Sequence, residues 1–164
     1  MKRRSFSKFF LLIGLISGII LLNLHCGNGE DAESASEPAE SADPMQNKGI
    51  GPISNVELGP IDAAQVAQGE QVFQTKCSAC HKLDERVVGP PLGGVTRRRS
   101  PEWIMNLILN TNEMVEKDPI VQDMIAVYYT KMTFQNVTEP EARALLEYMR
   151  KYDSDHPQAG ADMQ

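Results

Sequence analysis

Apolar positions along the chain fall into one continuous block and four periodic ones. From Phe9 to Leu24 only Ser17 and Asn23 are polar. Residues 27 to 60 keep no apolar period; Gly, Ser, Ala, Pro and the acids Glu30, Asp31, Glu33, Glu37, Glu40 and Asp43 dominate. From Ala63 the spacing turns helical. Val66, Gly69, Val72 and Phe73 share a face, and Asp62 stands where an N-cap belongs, predicting a helix over 63–76. Pro101 opens a second helix, 102–109, with Trp103, Ile104, Leu107 and Ile108 apolar. Asp118-Pro119 opens a third, to about Tyr128, and Thr138-Glu139-Pro140-Glu141 is a capping box ahead of Ala142, Leu145, Leu146, Tyr148 and Met149. Gly89-Pro90-Pro91-Leu92-Gly93-Gly94 between them reads as loop. No alternating pattern of strand length occurs, so an all-α domain is expected over 61–156, with a short tail, 157–164.

The continuous block follows Lys2, Arg3, Arg4 and Lys8, the pattern of an export signal over 1–25. Its 16 residues fall short of the roughly 20 that a spanning helix needs; the rival reading is an uncleaved, slightly short anchor. Either places the remainder outside the cytoplasm. Cys26 ends the block in Leu-Asn-Leu-His-Cys, which resembles a bacterial lipoprotein signal whose cysteine carries the lipid. His25 departs from the small residue expected there. Residues 26–60 then read as a lipidated cysteine and an acidic flexible linker, unable to bury enough to fold. As a coil, 34 residues reach roughly 30 Å. Without the four basic residues of the signal, 12 basic side chains face 22 acidic ones, a formal −10. Such a charge disfavours nucleic acid and suits basic or dipolar protein partners found by electrostatic steering.

Three cysteines are present: Cys26, Cys77 and Cys80. Cys77-Ser78-Ala79-Cys80-His81 matches the Cys-x-x-Cys-His pentapeptide of covalent haem attachment. Two thiols add to the two haem vinyl groups, the two-residue spacer sets their separation, and the following imidazole lies under the iron. Lipidation of Cys26 plus two thioethers accounts for all three cysteines. Structural zinc usually asks for four Cys or His ligands, and only these three lie close together. A thioredoxin-like dithiol wants a βαβ context, which the helical pattern lacks.

With this motif, the stretch from Asp62 to Tyr152 resembles a class I cytochrome c. The resemblance implies that fold, helices packed around one covalent haem, and it implies roles for further residues. Gly69, Phe73 and Tyr148 would pack the first helix on the last. The Pro90 carbonyl would accept the Nδ1 proton of His81. Met132, in Lys131-Met132-Thr133-Phe134 just before the last helix, would be the second axial ligand, although Thr133 replaces the usual proline; Met114 and His156 are the other candidates. One of Arg98 and Arg99, with Trp103, would reach the haem propionates. With His81 and Met132 both on iron, the expected activity is one-electron carriage and not catalysis. The alternative is an open-site haem enzyme or a gas- or peroxide-responsive haem protein. The segments Val88-Gly89-Pro90-Pro91 and Arg98-Arg99-Ser100-Pro101-Glu102-Trp103-Ile104 further resemble monohaem lipoprotein cytochromes associated with nitrous oxide reductase. That implies a respiratory reductase or terminal oxidase on the periplasmic face as acceptor.

Overall fold

A computed structural model describes residues 43–161. Six helices are present among them, and no strand: α1 (Ala63–Val72), α2 (Val95–Arg98), α3 (Pro101–Leu109), α4 (Thr111–Lys117), α5 (Pro119–Tyr128) and α6 (Glu139–Asp155). The expected starts hold because each rests on a local cap. The Asp62 carboxylate accepts from the N–H groups of Ala64 and Gln65, Ser100 Oγ from Trp103, and Asp118 from Val121. Thr138 and Glu141 form the capping box. Each bond satisfies a donor that a helix terminus would otherwise orphan.

The first helix differs from expectation. After Val72 it widens into a π-helical turn, Phe73–Cys77, with the Ser78 N–H on the Phe73 carbonyl at 2.9 Å. The turn inserts one residue into the α register, and it ends on Cys77. Helices α2 and α4 were not foreseen, being one and two turns long and too short for an apolar period.

Helices α1 and α6 cross at Gly69. A Cβ there would collide with the backbone carbonyl of Ala144 and approach Tyr148 Cβ at 2.9 Å. One turn on, the Phe73 and Tyr148 rings pack 5.5 Å apart at 45°, a tilted arrangement that aromatic quadrupoles favour. Ile104, Met105, Val121, Leu145, Leu146 and Met149 complete the core.

The linker expected up to residue 60 requires correction. Residues 47–59 form a strap laid on the helices, held by side chains that read its backbone. Asn106, 1% exposed, donates to the carbonyls of Lys48 (2.9 Å) and Ile53 (2.8 Å) and accepts from the Ile53 N–H (2.9 Å). Ser100 donates to the Asn47 carbonyl, the Glu102 carboxylate accepts from the Val56 N–H, and Met114 Sδ accepts from Ile50 at 3.0 Å. Arg143 and Arg150 reach the Glu57 and Gly59 carbonyls, and both also bind the buried Glu147 carboxylate. Ile53 is buried, with Ile50 and Val56 beside it. Composition hid the strap because its stability comes from partners about 50 to 90 residues away in sequence. The export signal and Cys26 lie outside the described residues, and no helix among those residues is long and apolar enough to cross a membrane.

Asn106→Ala orphans the two backbone groups of buried Ile53 and frees the part-buried Lys48 carbonyl. At about 1–3 kcal/mol each when nothing compensates, and with part of the strap relaxing into water, a net loss of about 3 kcal/mol is expected in denaturant unfolding, with new proteolytic cleavage confined to 47–56. A second expectation concerns Glu141, whose carboxyl is held down at about 2, chiefly by the Thr138 backbone N–H and then by Lys76. Because the folded value is depressed, its stabilisation is complete above the ordinary value near 4.5 and is lost as pH falls through about 2. Glu141→Gln should therefore flatten the acid limb of a thermal-stability profile between about pH 4.5 and 2. An unchanged limb would contradict the assignment.

Candidate functional site

Beyond the π-helical turn the chain closes on itself around His81. The Cys77 carbonyl accepts from both the Cys80 and His81 N–H groups, at 3.0 and 2.9 Å, and the Cys80 carbonyl accepts from Gly89 at 2.9 Å. In this short coil Cys77 is half-buried and Cys80 exposed. His81 Nδ1 lies 2.9 Å from the Pro90 carbonyl, so it carries the proton and donates, and Nε2 is the nitrogen left for a metal. Gly89 lies flat against the ring; a Cβ there would overlap Cε1 and come within 2.9 Å of Nδ1.

Electrostatics distinguish the chemistries a Cys-x-x-Cys-His segment could perform. Burial pushes the Cys77 thiol up to about 11, although Lys76 acts the other way. A redox dithiol needs the opposite shift, since the thiolate is the nucleophile. Burial also lowers His81, partly offset by Pro90, which keeps the imidazole neutral, the form that ligates iron. Among the described residues no group of three or more His, Cys, Asp or Glu side chains gathers as a metal cluster.

Val87 and Val88, next to Gly89, are 46% and 45% exposed, and Val127 is 58% exposed. Arg86 joins them: its guanidinium stacks 4.4 Å over the Tyr128 ring and reaches the Val127 carbonyl at 3.5 Å.

Met132 is half-buried in the extended chain between α5 and α6. That segment is fixed beside Cys77, because Lys76 Nζ reaches the Asn136 carbonyl (3.1 Å) and the Glu141 carboxylate (2.9 Å). Met114 is fully buried and its sulfur is engaged by the strap. His156 stacks on Tyr152, centroids 4.0 Å apart, with Nδ1 on the Tyr152 carbonyl.

The basic cluster is tied into the chain itself. Arg98 donates to the carbonyls of Gly93 (3.0 Å) and Gly160 (3.4 Å). Trp103, 2% exposed, gives its indole N–H to Asp118 at 3.2 Å. Arg98 Nη1 and the Trp103 indole N–H both meet the protein's own acceptors. Arg99 lies over the Trp103 ring at 5.5 Å and donates to the Arg98 carbonyl. Burial lowers both arginines, for Arg99 against the pull of Asp118, but guanidinium stays charged. Asp153, Tyr152, the strap and the burial of Asp118 are not legible in the sequence, where nothing local marks an acid as buried.

Comparison with known proteins agrees with this geometry. A family model described as cytochrome c matches residues 66–153. The structure of a cytochrome c from Rhodothermus marinus superposes with a TM-score of 0.63 at 48% identity, over 65% of this chain and 92% of that one. Cytochrome c of Nigella damascena is 30% identical over 101 residues, 54% of this chain and 91% of that protein. Cytochrome c2 of Rhodopseudomonas palustris is 28% identical over 121 residues, 58% of this chain and 86% of that protein. The pentapeptide, the oriented histidine and the helical frame thus have one source: the chain belongs to the cytochrome c family, as a class I monohaem cytochrome that carries its haem covalently.

Proposed function

We propose that this protein is a membrane-tethered one-electron carrier with His81 and Met132 as axial ligands to the haem iron and Cys77 and Cys80 as its thioether residues. The observation that carries the reading is the 2.9 Å bond from His81 Nδ1 to the Pro90 carbonyl. It fixes the tautomer, turns Nε2 outward from the loop and raises the basicity of the ring, as outer partners of metal-bound histidines do. When bound, the haem supplies a ferric–ferrous couple that stores one electron. The chain's part is to hold the ligands and exclude water. Met132 supplies a soft thioether from a segment that Lys76 clasps to the end of the first helix, and methionine ligation raises the potential.

Two alternatives for the second ligand lose support. Met114 is buried under the strap and His156 is engaged at the end of α6. An open-site enzyme would need a polar distal group to handle its substrate, and His156 was the spare histidine for that role. Of the propionate partners, Arg99 remains; Arg98 and Trp103 would first have to release Gly93, Gly160 and Asp118. The tether reading extends the carrier reading: export and a lipid on Cys26, both of which lie outside the described residues. The acidic surface fits a basic or dipolar acceptor, a reductase such as nitrous oxide reductase or a terminal oxidase on the outer face of the membrane, docking transiently.

The test is a pair of variants matured with haem. Met132→Ala should lose the weak long-wavelength ferric band of sulfur–iron ligation and become high-spin. Met114→Ala should keep that band while unfolding at a lower temperature. Persistence of the band in Met132→Ala, or its loss in Met114→Ala, would move the ligand elsewhere.

A further inference from the structure

The loop that presents Pro90 to His81 has a narrow neck. The Leu92 N–H bonds the Lys82 carbonyl at 2.9 Å, and the Gly93 N–H bonds the Leu83 carbonyl at 2.7 Å. Both sides of this neck are gripped by the C-terminal end of the domain. On the first side, the Tyr152 hydroxyl donates to Asp84. On the second, the buried Asp153 carboxylate accepts from the Gly94 N–H at 2.5 Å, the Thr96 N–H at 3.0 Å and the Thr96 hydroxyl at 2.6 Å. Gly94, at φ +77°, is left-handed, and a Cβ on Gly93 would meet Ala159 at 3.0 Å and the Tyr152 ring at 3.2 Å.

The segment after α6 completes the grip. Arg97 donates to the carbonyls of Asp153 (2.6 Å), His156 (3.3 Å) and Ala159 (2.7 Å). Arg98 bridges the Gly93 and Gly160 carbonyls. His156 stacks on Tyr152 and so backs the ring that holds Asp84. Two guanidiniums thus convert a short tail into a cover over the neck, with their fixed N–H forks matched to carbonyl oxygens.

We propose that this assembly, Arg97, Arg98, Tyr152 and Asp153 with residues 156–160, is a latch that positions the haem histidine: by fixing the neck of loop 82–93 it sets the His81–Pro90 hydrogen bond. The inference rests on His81 as iron ligand. These are positioning residues; none touches the ring itself. A tight bond to Pro90 makes the imidazole more basic, which favours the ferric state and holds the potential down. Loosening the latch lengthens that bond and raises the potential.

The experiment uses the full haem-loaded chain. Tyr152→Phe removes one hydroxyl, and Arg97→Gln with Arg98→Gln releases the tail; the former serves if the latter fails to fold. Measured are the midpoint potential and the rate at which the His81 Nδ1 proton exchanges with deuterium, followed by NMR. Both variants should keep the low-spin spectrum, show a raised potential and exchange that proton several-fold faster. Arg143→Ala, which weakens the strap on another face, should lower the unfolding temperature and move neither readout. If the latch variants behave like Arg143→Ala, losing stability with potential and exchange unchanged, the latch is only structural and the proposal falls. A wild-type protein lacking the low-spin spectrum would instead remove the ligand reading beneath it.

Discussion

The close crossing of α1 and α6 is the constraint on which the other parts depend. Gly69 lets the first helix lie against the backbone of Ala144, and the Phe73–Tyr148 pair fills the next layer. That contact fixes both ends of the working region together. The far end of α1 unwinds through the π-helical turn into Cys77 and His81, and the far end of α6 delivers Tyr152 and Asp153 to the loop opposite. A larger residue at 69 would push the two ends apart, and with them the cysteines and the neck of the Pro90 loop.

Around this frame the chain is held less by core volume than by side chains reading backbone. Asn106, Ser100, Glu102 and the arginines of α6 hold the strap; Asp153, Arg97 and Arg98 hold the neck and the tail. Buried polar groups are stable only when partnered, and here strap and loop carbonyls and N–H groups supply the partners. Such bonds also specify register: an amide that takes two carbonyls and one N–H, as Asn106 does, fits a single placement of the strap. Asp118 does the same at a junction, joining Asn47 of the strap, the Trp103 indole and the start of α5.

What could be read in the sequence was local. Asp62, Pro101, Asp118-Pro119 and the capping box at Thr138 mark the helix starts, and the Cys77–His81 pentapeptide with Gly89-Pro90 marks the histidine side of the site. What escaped was non-local. Helices α2 and α4 are too short for a period, and the π-helical turn follows from packing. The strap has the composition of a linker, and contacts from α3, α4, α6 and the α5 cap make it ordered. The arginine run looked suited to an anionic group, whereas Arg97 and Arg98 meet neutral carbonyls brought in by the tail about 60 residues later.

The most direct test of the carrier account is reactivity at the iron in the unmodified protein, matured in an exporting host that attaches haem. The account predicts that haem stays with the chain on a denaturing gel, and that the ferrous spectrum keeps its sharp bands when carbon monoxide is added, because both axial positions are filled by the protein. Haem lost on the gel would contradict attachment at Cys77 and Cys80. Covalent haem that binds carbon monoxide at once would contradict the closed iron, and with it the assignment of Met132.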